Sequence, residues 1–333
     1  MSKIVRPKTP FEFCAYPVLK EALEKTNYNQ TELAQSLGTS QFTVSAWELN
    51  LVFVNTGLEY PEIQKFVNEY ADWLRREFPR VTVNLHRLRP KINIRQVIMK
   101  YGYSIVSKEV AAYVEEARVK PDGRSAARLR GEYLRSNGTP SDFNCQKWEY
   151  LLFAPFAISS RCCAVMKKQP MNGYARKTQR VPTMATTAQE SRLRTKVWLK
   201  TGCNAFEGKH PAGKPMSFWT EQDVLRFIVD RHIPIASVYG DIVASDGEND
   251  YAETLIDCKL HCTGCQRTGC MFCAFGAHLE KGENRFERMK RTHPKHYDFC
   301  IGGGAYDPAD GMWKPSENGL GYGRVLDYIG VGY

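Results

Sequence analysis

The sequence predicts an α/β fold with a parallel sheet, preceded by a small helical segment. Three observations carry this. An apolar, β-branched run, LVFVN at 51–55, is followed by a helical period and by a second strand-like run at 81–85, the spacing of a β-α-β unit. A helix–turn–helix spacing lies just ahead of it, in residues 30–49. The chain has 333 residues, 43% of them apolar and 25% charged, the balance of a globular protein with a sizeable core.

In the N-terminal segment, Leu33, Ala34 and Leu37 share one face of a short helix. Gly38 supplies the left-handed residue that ends it, and Ser40 caps a second helix on which Val44 and Trp47 face back. Residues 17–25 form the supporting helix. The pattern resembles the DNA-binding domains of phage repressors. That resemblance implies that the second helix enters the major groove, with Gln41, Thr43 and Ser45 facing bases. The competing possibility is a helical hairpin that only packs on the next domain. Residues 1–50 are expected to form this segment and residues 51–333 the α/β body.

In the body, LVFVN reads as a buried parallel strand beginning at Leu51. Ile63, Phe66, Val67, Tyr70 and Leu74 then fall on one helical face. Residues 81–85 give the next strand, 94–101 and 107–116 two helices, and 181–183 a further strand. Thr220-x-x-Asp223 opens a helix over 220–231 with Val224, Leu225 and Ile228 as its stripe. The glycine-rich residues 302–323 read as a loop.

Net charge is +10, from 46 basic and 36 acidic residues, which suits a polyanionic partner or a phosphate-bearing small molecule. No apolar run approaches the ~20 residues that cross a membrane. The first residues, MSKIVRPKTPFEF, lack the apolar region of a secretory signal. The expected location is the cytosol, where disulfides are rare, so the eleven cysteines read as thiols, metal ligands or redox groups.

Cysteine spacing alone leaves several metal centres open. Cys262, Cys265, Cys270 and Cys273 form two Cys-x-x-Cys pairs, the donor set of a structural zinc. Cys265-x4-Cys270-x2-Cys273 has plant-type ferredoxin spacing. Reduced, buried thiols are the metal-free alternative.

Several motifs occur in order: FVNTGLEYPEI at 53–63, RPK at 89–91, IVSKEV at 105–110 and CCAVMKKQP at 162–170. They are followed by ESRLR at 190–194, PMSFWTEQDVLRFI at 215–228, RTGCMFC at 267–273, ENRFERMKRTHPKHYDFC at 283–300 and VLDYIGV at 325–331. Together they resemble the phosphoadenosine phosphosulfate (PAPS) reductase family, of the PP-loop adenine nucleotide α-hydrolase type, over residues 51–333. The resemblance implies a doubly wound, mostly parallel sheet with ligand at the carboxyl ends of the strands. It also implies a 4Fe-4S cluster on Cys162, Cys163, Cys270 and Cys273. Arg161, Lys167, Lys168 and Arg267 are the basic neighbours that would favour thiolates. Cys258, Cys262 and Cys265 are then surplus, free for a second metal or for sulfur exchange.

The family carries an SGGKDS-type phosphate loop after its first strand, and this sequence has none. It therefore resembles a member whose first strand, loop and first helix have been replaced by the helix–turn–helix segment. Glu59, Arg89, Lys91, Lys108, Arg192 and Arg194 occupy the family positions that imply a nucleotide or anion pocket. Trp219 reads as core, and His278, His293 and His296 as polar surface or supporting groups. Cys300 stands well ahead of the terminal VLDYIGVGY, which has no counterpart of the family's attacking cysteine. The expected function is sulfur or adenine-nucleotide chemistry with a 4Fe-4S cluster. The alternative is a DNA-binding regulator of phage or mobile-element origin, acting through residues 30–49.

Overall fold

The computed structural model describes residues 48–205, 211–245, 259–265 and 268–333. The helix–turn–helix expectation, with Gln41, Thr43 and Ser45, falls outside them, as do Cys258 and Arg267. The described chain is a mixed α/β structure in two compact units. One holds the described parts of 48–53, 61–87 and 172–267; the other holds 54–60, 88–171 and 268–333. No helix among the described residues is long and apolar enough to cross a membrane.

The first unit opens with strand β1 (Glu48–Val54), three residues earlier than the apolar run suggests. It is half-buried along most of its length. Helix α1 (Pro61–Glu77) follows, with Ala71 and Leu74 as its buried face, and then β2 (Thr82–Leu88). β1 and β2 pair. Asn84 donates to Glu48 at 2.5 Å, and His86 pairs with Asn50 at 2.7 Å. Partners that advance together along both strands are those of a parallel ladder. The β-α-β unit read from periodicity is present.

The segment at 181–183 departs from expectation. It makes only an isolated bridge, Thr183 to Gly213, because Pro182 removes a ladder donor. The helix at 220–231 is as expected. Thr220 and Asp223 close a reciprocal capping box over Glu221–Asp230, with Leu225 buried.

The second unit contains the large, fully buried side chains: Tyr103, Phe156, Phe286, Met271, Met289 and Tyr322 are among them. Helix α2 (Ile94–Tyr101) is opened by a capping box of Asn93 and Gln96. Strand β3 (Ile105–Val106) leads into α3 (Lys108–Val119), capped by Ser107. β3 pairs in parallel with β4 (Ala274–Phe275). Ile105 and Ala274 at that pairing are both completely buried. Tyr103 donates to the Leu320 carbonyl at 2.7 Å and meets Tyr322 edge-on at 5.1 Å. Arg118, near the end of α3, donates to the carbonyls of Leu151, Leu152, Ala154 and Phe156.

The glycine-rich stretch is ordered rather than a plain loop. Gly304–Tyr306 and Trp313–Pro315 form an antiparallel hairpin, and a helix begins at Tyr322. A Cβ on Gly304 would meet the Trp313 indole at 2.2 Å, so close approach of backbone to ring explains that glycine. Among the described residues the strands pair two by two.

Candidate functional site

The sequence places two cysteines side by side at 162–163 and two more in a tight turn at 270–273. Both pairs lie in the second unit. Cys162 and Cys163 open a helix whose next turn, Ala164–Lys168, is a π-helix before regular α geometry resumes at Gln169. A wider π turn brings residue i+5 beneath residue i, where an α turn would swing it away. Lys167 is thereby carried to the side of Cys162, whose thiol its charge favours in the ionised form.

The second pair is held by its neighbours. Met271 and Phe272 are buried, and the Met271 amide donates to the Leu58 carbonyl at 2.7 Å. The Cys273 amide closes a turn on the Cys270 carbonyl at 3.1 Å. Residues 274–275 then enter the pairing with β3. Cys270 and Cys273, on either side of these two buried residues, are themselves half-buried.

The four thiols act on one another. Burial, joined by the fields of Cys163, Cys270 and Cys273, pushes the Cys162 thiol up to about 12. Burial pushes Cys270 up to about 11, while the Lys167 ammonium, hydrogen-bonded to its sulfur, pulls it down. Cys273 is raised by burial and eased by the Phe275 amide and the Arg285 charge. Arg285 is fixed by Glu280 at 2.9 Å and donates to the Cys273 carbonyl at 2.8 Å. Tyr322, fully enclosed, is pushed far up by burial and by the fields of Cys162, Cys300 and Cys273. Cys300 is itself buried, and its thiol is raised well above the ordinary range.

Glu59 joins this centre. The Thr56 amide and hydroxyl donate to its carboxylate at 3.0 and 2.7 Å, and its charge reaches both Lys167 and Cys270. Burial alone would lower the Lys167 pKa, but Cys270 and Glu59 outweigh it and hold the ammonium charged.

The remaining anion-pocket residues fall in both units. Arg89 and Lys91 follow the carboxyl end of β2, and Lys108 opens α3 after β3; all three are exposed. Arg192 and Arg194 belong to the first unit, where Arg194 is ion-paired with Glu190. A comparison with protein-family models finds no match, and a search of curated proteins finds none.

The other expectations fall as follows. Cys262 and Cys265 are placed with the first unit, half-buried and buried respectively. Among the described residues, no group of three or more His, Cys, Asp or Glu side chains is gathered so as to hold a metal ion. Trp219 is half-buried rather than part of the core, and packs edge-on against the half-buried Phe227 at 5.3 Å. His278 packs on Trp148 with its Nδ1 buried and unpartnered, and His293 packs on Tyr60. Arg285, Glu280 and Tyr322 were not singled out by spacing.

Proposed function

We propose that the chain is a PAPS reductase-like protein of sulfur or adenine-nucleotide chemistry, acting in the cytosol. Cys162, Cys163, Cys270 and Cys273 would hold its 4Fe-4S cluster. The observation that carries this is their convergence: two cysteine pairs from distant parts of the chain perturb one another's ionisation in one buried region. The residues fit such a group. Four thiols supply the donor set, while Lys167, Arg285 and the Phe275 amide offset thiolate charge.

A bound 4Fe-4S cluster supplies one-electron redox chemistry.

The chain's own residues would prepare the site. Lys167 holds Cys270 towards its thiolate. Arg285 braces the Cys273 turn. Glu59 sets the charge of Lys167, so its carboxylate serves the cysteine centre rather than reaching freely for a nucleotide hydroxyl. Arg89, Lys91 and Lys108 stand just past strand carboxyl ends, where α/β folds receive anionic ligands, and they extend the proposal to a nucleotide. The doubly wound sheet belongs to the same proposal.

The test is iron, zinc and acid-labile sulfide content of anaerobically purified protein. About four irons and four sulfides per chain are expected, with broad visible absorption. Cys162→Ser and Cys273→Ser should lose the iron, while Cys262→Ser keeps it. Zinc alone, lost in Cys262→Ser, would replace this site with the two Cys-x-x-Cys pairs.

A further inference from the structure

We propose that the helix Arg192–Thr201 is a docking surface for nucleic acid, gripping the phosphate backbone with Arg192, Lys196 and Lys200. The helix belongs to the first unit and the cysteine centre to the second, and the proposal does not depend on that centre holding a cluster.

The helix buries none of its residues. Arg192, Leu193, Arg194, Lys196, Val197, Leu199 and Lys200 are all exposed. Ten residues are too few to stay helical on propensity alone. The helix is held from its ends. Ser191 accepts from the Arg194 amide at 3.3 Å, and the Thr195 hydroxyl donates to the Ala188 carbonyl at 2.9 Å. The Gly202 amide closes on the Trp198 carbonyl at 2.7 Å. The segment is thus ordered with its outer surface uncovered.

That surface carries one sign of charge. The helix, RLRTKVWLKT, contains no acidic residue. Arg194 is neutralised by Glu190, but Arg192, Lys196 and Lys200 make no ion pair among the described residues. They stand at i, i+4 and i+8, one stripe with rungs about 6 Å apart along the axis. Like charges at that spacing repel and weaken a helix. A sequence that keeps three of them unpaired on one stripe is suited to an external polyanion. A nucleic-acid backbone repeats its charge along its length and can meet more than one rung.

The apolar residues favour nucleic acid over an anionic membrane. A membrane-surface helix needs one broad apolar face opposite its charges. Here Leu193 and Leu199 lie on opposite edges of the basic stripe, so no single face can sink into lipid while the cations remain outside. The net charge of +10 acts in the same direction, drawing polyanions to the whole chain.

The experiment uses the full chain and a short fluorescein-labelled DNA duplex of arbitrary sequence, with anisotropy followed across a salt series. The parent should bind with an affinity that falls linearly in log–log form. The double variant K196Q/K200Q should bind about tenfold more weakly at low salt, with a slope shallower by about two, one per lost phosphate contact. K281Q/K295Q, which removes two exposed lysines of the other unit, should leave the slope unchanged. Circular dichroism confirms that each variant is folded. Failure of the parent to bind, an unchanged slope in K196Q/K200Q, or equal losses in both variants would overturn the proposal. So would a K196Q/K200Q variant that keeps the duplex but no longer sediments with phosphatidylserine vesicles, an outcome that assigns the stripe to lipid.

Discussion

Lys167 and Cys270 share a hydrogen bond, ammonium to thiol sulfur, that joins the π turn of one chain segment to the Cys-x-x-Cys turn of another. Both groups are largely removed from water, so the pairing weighs more than a surface contact does. It opposes the desolvation that keeps the thiol protonated. It also gives the π turn a purpose, because regular α geometry would aim the lysine elsewhere.

Lys167→Met therefore has a defined consequence. Removing the cation leaves burial unopposed, so the Cys270 thiol rises further above its value of about 11. In metal-free protein at mildly alkaline pH, alkylation of Cys270 should slow about tenfold for each unit of rise. Iron retained after anaerobic purification should fall with it. Peptide-resolved alkylation kinetics supply the measurement. A rate equal to the parent's would remove Lys167 from the site.

Much of the fold can be read from the sequence, and particular residues show where the reading stops. The stripe of α1 and the Thr220–Asp223 box are local patterns, set by residues three or four apart, and both are present. The hairpin around Trp313 is not local in that sense. Its glycines look like loop punctuation until the indole lies against Gly304. The cysteine centre shows the same division. Motif resemblance brought Cys162, Cys163, Cys270 and Cys273 together as candidates. Glu280, Arg285 and Tyr322 carry no spacing signal, because their parts depend on how helix 285–292 and the last helix pack beside the cysteine turn. The π turn is equally silent in sequence, since the same residues suit an ordinary α-helix.

Arg118 is a structural keystone of the second unit. Its guanidinium supplies donors to four carbonyls of the turn at 151–156, at 2.8 to 3.2 Å. Burial lowers its pKa, yet no other group could serve all four oxygens from one point. Arg118→Met orphans them and should cost about 3 kcal/mol. Arg118→Lys should recover only part of this, because an ammonium lacks the planar fork. Urea denaturation measures both, and a loss under about 0.5 kcal/mol for the methionine variant would show that the carbonyls find other donors.

Gly304→Ala tests the close approach in the hairpin. The added Cβ would fall 2.2 Å from the Trp313 ring, whose Nε1 donates to the Gly321 carbonyl at 2.9 Å. The ring can yield only by giving up that bond, so destabilisation of about 1–3 kcal/mol is expected, the scale of an overpacked core. Gly138→Ala provides a contrast: nothing lies within 4 Å of its added methyl, and only the positive φ of 77° is strained. A Gly304→Ala variant no less stable than Gly138→Ala would argue against the packed arrangement.

The same hairpin should respond to acid through Lys314. Its ammonium hydrogen-bonds to Asp307 at 2.7 Å and Asp310 at 2.6 Å. These bonds, with the Ala309 and Met312 amides in support, hold both carboxyls below their ordinary 3.8. A carboxylate whose folded pKa lies below its unfolded value contributes stability above the unfolded pKa. That contribution is lost as pH falls through the folded value. The turn should therefore be at full strength above about pH 4 and loosen only below it. Both groups face water, so the effect on the whole chain is small, and local carboxyl shifts are the better readout than global unfolding. In carbon-13 spectra of labelled aspartate, Asp307 and Asp310 should titrate below the exposed aspartates, and Lys314→Met should move both midpoints up towards them. Midpoints that stay in place in the variant would show that the backbone amides alone hold the two carboxylates.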